Sequence, residues 1–343
     1  MTSVLAVGPS PLPITGQSKA FNFFVRNSGL NTKVLFSTGK TSFYPIFYIF
    51  KLFWFFLFFK FDVVYFTSSR SRFGFARDLL VLFLFGYVKR IKVVNHLHGA
   101  DFKFFRSKSN IYFKRIIDWS YDYVSTSIVL NSAMKKEYSC YPKMEVVVVP
   151  NFSERFLERS DVTSKRINKS SKLDVLFLSN LIESKGLFEL VEAAISFNNF
   201  NERIFLHIAG SSLGNEEIEN KLIEICKLHQ FIKYYGPLSG DSKFKLLKEC
   251  HVLALPTYYP TEAQPICVIE GMAFGCVILS TNHNYMPELV DDTNGVIVNI
   301  KSSKSICTAF TSIFDCADEY NDIMLGNLAQ AKEQFLPSSY IDN

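Results

Sequence analysis

Short apolar runs alternate with amphipathic stretches along the whole chain, and this alternation predicts the strands and helices of an α/β protein. In the first half, strands are predicted at Val4–Val7, Val34–Ser37, Asp62–Phe66, Lys92–Leu97, Ser127–Leu130 and Glu145–Val149. After residue 172, they are predicted at Leu173–Leu178, Arg203–Ala209, Ile232–Tyr235, Val252–Leu255 and Val277–Leu279. Helical stretches separate the strands, so each half is expected to form a parallel sheet with right-handed crossovers.

A polar stretch rich in serine and lysine separates the two halves and predicts a linker at 156–172. The first domain then covers 1–155 and the second covers 173–320. A closing helical segment, 321–343, either stays with the second domain or returns to the first. The length of 343 residues agrees with this division, because single domains usually hold about 100–200 residues.

The most apolar stretch of the chain is Phe43–Phe61. A membrane span needs about 20 apolar residues, but only about 14 lie between Pro45 and Lys60, and Lys51 interrupts them. We therefore reject a span. Two alternatives stay open: a helix lying in the membrane interface, with Trp54 in the acyl boundary, and a helix packed on the sheet.

Charge is divided unevenly between the two halves. Residues 1–150 hold 20 Lys and Arg against 7 Asp and Glu, a balance of +13, whereas the remainder holds 17 against 25, a balance of −8. The basic half favours an anionic membrane surface or a lipid phosphate as a partner, since each basic residue near such a surface contributes about 1 kcal/mol. No helix-turn-helix, zinc-finger or RNA-binding signature occurs, so nucleic acid is not expected.

The cysteines indicate a reducing compartment. All seven lie from Cys140 onward, with no Cys-x-x-Cys pair and no histidine spacing suited to zinc. Scattered cysteines of this kind are typical of reduced thiols in a cytoplasmic protein. The N-terminus lacks a basic segment followed by a long apolar core, so no signal peptide is expected.

Polar and glycine residues follow several strands of the first half, at the edge where open α/β sheets bind ligands. A proline-rich loop from Gly8 to Gly16 follows the first strand, but the fingerprint G-x-G-x-x-G is absent, which argues against an NAD enzyme. Arg70 and Arg72 lie in the loop after the third strand, where they either meet an acceptor phosphate or stay solvated. His98 follows the fourth strand and precedes a glycine, a place from which a side chain projects outward.

The second half contains two carboxylates eight residues apart, Glu262 and Glu270, with Pro265 between them. Proline is favoured in a first helical turn, so a helix is expected to begin near Gln264–Pro265. The unpaired N–H groups and partial positive charge of such a helix start form an anion site. For the glutamate pair by itself, a solvated helix face is the alternative interpretation.

The stretch Pro256–Val298 resembles the nucleotide-sugar segment of the family 4 retaining glycosyltransferases, which are two-domain GT-B enzymes. Their signature is a glutamate pair with seven residues between, followed by a Gly-x-Pro/Val-Val-Ile strand; here Glu262 and Glu270 precede Gly275-Cys276-Val277-Ile278. Further motifs occur in the family's order across about 300 of the 343 residues, namely the Pro/Gly loop, His96-Leu97-His98-Gly99, Val149-Pro150-Asn151, Lys185-Gly186 and Gly236-Pro237.

The resemblance implies an α/β fold of the GT-B class, with two Rossmann-like, doubly wound parallel-sheet domains that face a central cleft. It implies that His98 lies near the reactive carbon of the donor sugar, that Lys185 binds the donor diphosphate and that Glu262 contacts the sugar hydroxyls. Glu270 would accept hydrogen bonds from the ribose diol. The other implied donor-binding residues are Gly16, for which an ordinary βα connection is the alternative, and Asn180, Gly210, Gly236, Pro237, Leu238, Gln264, Pro265 and Ile266. The family has an arginine at the position of Asn180, so one positive charge is missing here.

The implied reaction is the retaining transfer of a sugar from a nucleoside diphosphate sugar to a saccharide or polyprenyl-diphosphate-linked acceptor, in the synthesis of a bacterial surface polysaccharide such as a capsule or O-antigen. No cofactor and no metal are expected, since the sequence has no Asp-x-Asp. The acceptor and the anionic inner-membrane surface would meet the first domain, with Trp54, Arg70 and Arg72 as candidates. Two alternatives are a GT-B nucleotide-sugar epimerase and a non-catalytic protein that binds sugar nucleotides.

Overall fold

The chain divides into two compact units in the computed structural model, which describes residues 2–39, 43–200 and 202–342. The first unit comprises residues 1–150 and 341–343, and the second comprises residues 151–340.

The first unit is built on a six-stranded, all-parallel sheet with the strand order β2-β1-β3-β4-β5-β6. The strands are β1 Ser3–Gly8, β2 Asn31–Phe36, β3 Val63–Thr67, β4 Lys92–His96, β5 Thr126–Val129 and β6 Glu145–Val148. All six were predicted from the apolar runs. Because the order reverses between β1 and β3, the loops after these two strands flank the switch point of the sheet, where such folds bind ligands.

Helices connect the strands of the first unit: α1 Gly16–Asn27, α2 Tyr44–Phe58, α3 Arg72–Val81, α4 Phe102–Lys108 and α5 Ile111–Tyr121. A π-helix, Leu82–Val88, continues α3, and a 3₁₀ helix covers Ser132–Tyr138. The start of α1 is fixed by a capping box, in which the Ser18 N–H donates to Thr15 Oγ1 (3.1 Å) and the Thr15 N–H donates to Ser18 Oγ (2.8 Å). This cap sets where the proline-rich loop after β1 ends.

Helix α2, the most apolar segment, lies on the outside of the first unit. Only Tyr48, Leu52 and Phe55 are buried, and their spacing forms one narrow stripe along the helix. The remaining apolar side chains of α2 are partly or fully exposed. Within the described ranges, no helix combines the length and apolarity needed to cross a bilayer.

The second unit also contains a six-stranded, all-parallel sheet, with the order β12-β11-β10-β7-β8-β9. Its strands are β7 Leu173–Leu178, β8 Ile204–Ala209, β9 Ile232–Tyr234, β10 Val252–Leu255, β11 Val277–Thr281 and β12 Gly295–Val298. Sequence reasoning missed β12, whose first residues read as an Asn-Gly turn. The switch point of this sheet lies between β7 and β10, which are neighbours in space although they are far apart in the chain.

The helices of the second unit are α6 Arg159–Ser164, α7 Leu187–Asn198, α8 Glu216–Leu228, α9 Gly240–Glu249, α10 Ile266–Ala273, α11 Ser303–Asp315, α12 Ala317–Gln334 and α13 Pro337–Asp342, of which residues 341 and 342 are grouped with the first unit. Short 3₁₀ turns cover Glu183–Lys185 and Met286–Glu288. Every residue of β10 and β11 is buried, because helices cover both faces of the sheet.

The segment predicted as a linker, 156–172, contains α6 and packs on the second unit. Leu157, Val162 and Ile167 belong to its core, where they are spaced five residues apart among polar neighbours. The predicted closing segment contains most of α12 and all of α13. Helix α12 is tied to the second sheet by Asn327, which is fully buried and whose Nδ2 donates to the carbonyls of Cys276 (2.7 Å) and Asn294 (2.8 Å).

Replacing Asn327 should therefore destabilise the second unit. In Asn327→Ala, two buried carbonyls lose their donor, and the expected loss in the free energy of unfolding is about 2–4 kcal/mol. Urea denaturation followed by circular dichroism measures it. Glu333→Ala, on the exposed side of the same helix, is the control and should change the stability little. Equal stabilities of the two variants would contradict this role of Asn327.

Candidate functional site

At the switch point of the second unit, the loop after β7, which carries Lys185, approaches the loop after β10. After β7, the chain passes through one 3₁₀ turn to Gly186, which has a φ of +79°. A Cβ atom at position 186 would lie 2.1 Å from the carbonyl oxygen of Pro256, the residue that follows β10. Only glycine allows this approach, so Gly186 brings the preceding lysine to the loop after β10.

Lys185 forms an ion pair with Glu262 there. Its Nζ lies 2.5 Å from Glu262 Oε2, and the two side chains are only 12% and 7% exposed. The Thr257 hydroxyl donates to the same carboxylate oxygen at 3.1 Å. The ammonium also lies 4.7 Å from the ring centre of Tyr259. Two residues that are 77 positions apart in the chain thus meet at the carboxyl ends of β7 and β10.

A second buried ion pair lies in the same unit. Glu270, on α10, is buried, and its Oε1 lies 2.6 Å from the Nζ of Lys243 on α9. The side chains are 4% and 13% exposed. Glu270 was predicted as a nucleotide-binding residue, whereas Lys243 was not singled out. The ion pair therefore holds Glu270, a predicted site residue, through Lys243 on a different helix.

The thiol of Cys267, in the first turn of α10, lies among these charges. Burial raises the pKa of Cys267 to about 12, with smaller electrostatic effects from Lys185, Glu262 and Glu270. The thiol is therefore protonated at neutral pH and is not a nucleophile.

Helix α10 begins directly after Pro265, which has an extended conformation (φ −68°, ψ 125°). The first N–H groups of a helix have no partner within it and point away from its amino end, which favours an anion there. The loop before the helix is held by Asn151, whose N–H donates to Gln264 Oε1 (2.7 Å) and whose Nδ2 donates to the Gln264 carbonyl (2.8 Å). The predicted donor-binding side chain of Gln264 is thus engaged in fixing this loop, and the apolar side chain of Ile266 is buried.

The other predicted donor-binding positions of the second unit lie in neighbouring loops. The N–H of Gly210 donates to the carbonyl of Gly236 (2.9 Å), so the loops after β8 and β9 adjoin. A Cβ at Gly210 would lie 1.8 Å from the carbonyl oxygen of Ser179, which brings the loop after β7 equally close. The side chain of Asn180 is half-buried. Pro237 is exposed, and Leu238 packs against the core.

In the first unit, His98 stacks on His96. The ring centres are 3.9 Å apart, and the Tyr65 hydroxyl lies 2.7 Å from His96 Nδ1. Burial lowers the pKa of His96 to about 3 and that of His98 well below its usual value, with His96 and Arg70 contributing to the latter. Both rings are therefore neutral at physiological pH. The Nε2 atom of His98 is buried and has no hydrogen-bond partner among the described residues.

The remaining predicted residues of the first unit are found in different surroundings. Arg70 is held by an ion pair with Asp101 (Nε–Oδ1 2.5 Å) and is not a solvated loop residue. Arg72 and Gly16 are exposed first residues of α3 and α1. Trp54 lies on α2 and is 55% exposed. His98 and Arg70 therefore adjoin within the loop region after β3 and β4, whereas Trp54 belongs to the outer surface.

Comparison with known families finds a match in the second unit. Residues 160–325 match the family model of glycosyl transferases group 1. This stretch, which lies within the second unit, therefore resembles the group 1 glycosyl transferases. The match confirms the predicted resemblance at the level of group 1, and it contains Lys185, Glu262 and Glu270.

Solved structures show the fold of the whole chain. HepE of Anabaena, crystallised with UDP and glucose, is 14% identical with a TM-score of 0.74, and the match covers 100% of this chain and 98% of HepE. Sucrose-phosphate synthase of Thermosynechococcus elongatus is 10% identical with a TM-score of 0.72, covering 99% of this chain and 96% of that one. At such identities the likeness shows the fold alone, and it confirms the predicted GT-B class with two parallel-sheet units.

Curated relatives match over a shorter stretch. WcaL of Escherichia coli K12, whose name assigns it provisionally to colanic acid biosynthesis as a glycosyltransferase, is 24% identical over 142 residues, which is 40% of this chain and 35% of WcaL. WcaL of Salmonella typhimurium is 27% identical over 123 residues, which is 35% of this chain and 30% of that protein. The matched stretches thus span about a third of these relatives' length.

Three residues that sequence reasoning did not single out as part of the site support its two glutamates. Lys243 pairs with Glu270, Thr257 donates to Glu262, and Asn151 holds the loop before α10. Asn151 was noted only as part of the motif that ends the first domain. No local pattern marks Lys243 or Thr257, because their partners are set by packing between elements.

Gly186 offers a test of how Lys185 is positioned. Gly186→Ala should lower the free energy of unfolding by about 1–2 kcal/mol for the left-handed backbone and by about 1–3 kcal/mol more for the clash with Pro256. Gly214→Ala is a matched control, since Gly214 has a φ of +87° but nothing within 4 Å of its Cβ position. Chemical denaturation measures both, and equal losses would mean that the close approach is unimportant.

Lys243 offers a second test. Lys243→Met keeps the length of the side chain but leaves Glu270 without the ammonium, and the expected loss in stability is about 3–5 kcal/mol. The double variant Lys243→Met/Glu270→Gln should recover part of this loss, because it also removes the carboxylate charge that Lys243 compensates. Lys245→Met, at an exposed position of the same helix, is the control. A single variant as stable as this control would contradict the buried ion pair.

Proposed function

We propose that the chain is a metal-independent, retaining glycosyltransferase of family 4 that moves a hexose from a nucleoside diphosphate sugar to a saccharide on a lipid carrier. The observation that carries the proposal is the Lys185–Glu262 ion pair at the switch point of a unit that resembles the group 1 glycosyl transferases. The names of the WcaL relatives, which refer to colanic acid biosynthesis, support polysaccharide synthesis as the setting. We propose a surface polysaccharide, a capsule or O-antigen, as the product. HepE was crystallised with UDP and UDP-glucose, so UDP-sugars are the first donors to test.

The reaction requires stabilisation of the leaving group more than covalent chemistry by the protein. When the bond between the sugar and the phosphate breaks, negative charge develops on the nucleoside diphosphate. We propose that the ammonium of Lys185 and the amino end of α10 stabilise this charge. Lys185 and the start of α10 lie where the loops after β7 and β10 meet. The charges that would stabilise the leaving group are therefore already in place before the bond breaks.

The glutamates are proposed to orient the donor. Glu262 would accept hydrogen bonds from the sugar hydroxyls, and Glu270, fixed by Lys243, from the ribose diol. Asn180 would donate a hydrogen bond to the diphosphate in place of the arginine of the family pattern. These interactions position the donor, and such positioning lowers the entropic part of the barrier.

For His98 we propose the role that its motif implies, contact with the donor sugar near its reactive carbon. Because burial keeps the pKa of His98 low, the neutral ring would act through a hydrogen bond and not through charge. The Arg70–Asp101 pair lies beside it, and we propose that this region of the first unit meets the acceptor. The enzyme would work in the cytoplasm, peripherally associated with the inner face of the membrane.

The test is turnover of a panel of UDP-, GDP- and ADP-sugars by the purified protein, with Lys185→Ala as the decisive variant. We expect the loss of one stabilising charge to lower kcat by about 10²- to 10³-fold, with partial recovery in Lys185→Arg. Lys227→Ala, an exposed lysine of α8, should leave kcat unchanged.

Three outcomes would count against the proposal. Unchanged turnover in Lys185→Ala would remove this residue from the site. Conversion of the donor sugar to its epimer without any acceptor would identify an epimerase. Binding without turnover of any sugar nucleotide, measured by calorimetry, would identify a binding protein.

A further inference from the structure

Helix α2 exposes an unusual amount of large apolar side chain. Phe50 is 73% exposed, Leu57 66%, Phe58 64% and Trp54 55%. A helix that is apolar all round is normally buried or in contact with lipid, and contiguous exposed apolar patches of this kind mark interaction sites. The outer face of α2 is therefore a candidate docking surface.

A second group of exposed aromatic residues adjoins α2. Phe83 and Tyr87 on the π-helix stack with ring centres 5.6 Å apart, and Tyr87 lies 5.6 Å from Trp119 on α5. The π-helix packs on α2 through Phe56 and Phe85, whose ring centres are 5.9 Å apart. The aromatic surface is defined here by the exposed side chains of these three elements, Phe47, Phe50, Phe53, Trp54, Leu57, Phe58, Phe83, Tyr87 and Trp119.

Charge distinguishes among partners for this surface. Neither α2 nor the π-helix contains an acidic residue, and the single acid of α5, Asp118, is bound by Arg106 at 2.5 Å. Exposed Lys60, Arg90 and Arg115 follow or lie within these elements, and together with Lys51 and Lys114 they outnumber the exposed acids that follow α2 and α5, Asp62 and Asp122. A second copy of the chain would bring like charges together, whereas an anionic layer is complementary.

We propose that the aromatic surface docks on the boundary between the headgroups and acyl chains of an anionic bilayer. Tryptophan and tyrosine favour the level of the headgroups, and phenylalanines of an interfacial helix reach about 5–10 Å inward. The basic residues extend outward to the phosphates, adding an electrostatic attraction. The inference deepens the peripheral membrane association proposed above, and its part beyond α2 was not expected from the sequence.

The two tryptophans of the chain, Trp54 and Trp119, both lie on the aromatic surface. Tryptophan fluorescence, excited at a wavelength that tyrosine does not absorb, therefore reports on this surface alone. We expect a blue shift when the full chain meets vesicles of phosphatidylcholine with phosphatidylglycerol, and a much smaller one with phosphatidylcholine alone. Trp54→Phe and Trp119→Phe each leave one reporter, and both variants should still shift. A shift seen only from Trp54 would restrict docking to α2 and overturn the two-part surface.

Docking variants supply the second measurement. Phe50→Ser/Leu57→Ser should lower cosedimentation with anionic vesicles at least tenfold, and high salt should weaken it in the unaltered chain. Phe200→Ser/Leu228→Ser is the matched control, because these apolar residues of the second unit are 93% and 78% exposed but lie outside the aromatic surface. Equal loss in both double variants, or equal binding to neutral vesicles, would overturn the proposal.

Light scattering and donor turnover separate the remaining outcomes. A dimer that dissociates in Phe50→Ser/Leu57→Ser, without vesicle binding, would assign the surface to a second copy. Vesicle binding by a chain that turns over no sugar nucleotide would sustain this inference while the proposed enzyme fails. Sugar transfer to a soluble acceptor without vesicle binding would support the proposed enzyme and overturn the membrane docking.

Discussion

The candidate site depends on one buried ion pair, between Lys185 and Glu262. Removing two charges from water is costly, and an ion pair of this kind is often no more stabilising than apolar residues of similar size. Its presence at the carboxyl ends of two adjacent strands is therefore better explained by ligand binding than by stability. The geometry follows from the sheet, because pairing of β7 with β10 brings the two loops together. Gly186 then permits the final approach.

The sequence predicts the elements of this sheet well where burial is continuous. A strand that is covered on both faces appears in the sequence as an apolar run. The strands β7, β10 and β11 could therefore be predicted without knowing which strands pair with them. The missed strand, β12, is four residues long and pairs with β11 alone. The stretch 156–172 is mostly polar, and only its packing shows that three apolar side chains tie it to the core.

Long-range packing also explains which site residues could be predicted. Glu262 and Glu270 share one short stretch, so the proline between them and the motifs before and after them could mark them in the sequence. Lys243 lies on another helix, and no periodicity indicates that it faces Glu270. The apolar composition of α2 left two alternatives, because it is compatible with both lipid contact and burial. The narrow stripe formed by Tyr48, Leu52 and Phe55 shows that most of the helix is not covered by the protein.

The ion pairs also bear on how the proposed donor would be bound. Lys185 and Lys243 are each paired with a glutamate, so these four groups together carry no net charge. With asparagine at position 180, we propose that the attraction for a diphosphate comes from the amino end of α10 and from an exchange of partners at Lys185. In the proposed exchange, phosphate oxygens would replace the carboxylate of Glu262 at Lys185, and Glu262 would become available to the sugar hydroxyls. Binding of the leaving group and orientation of the sugar would thus be coupled through a single lysine.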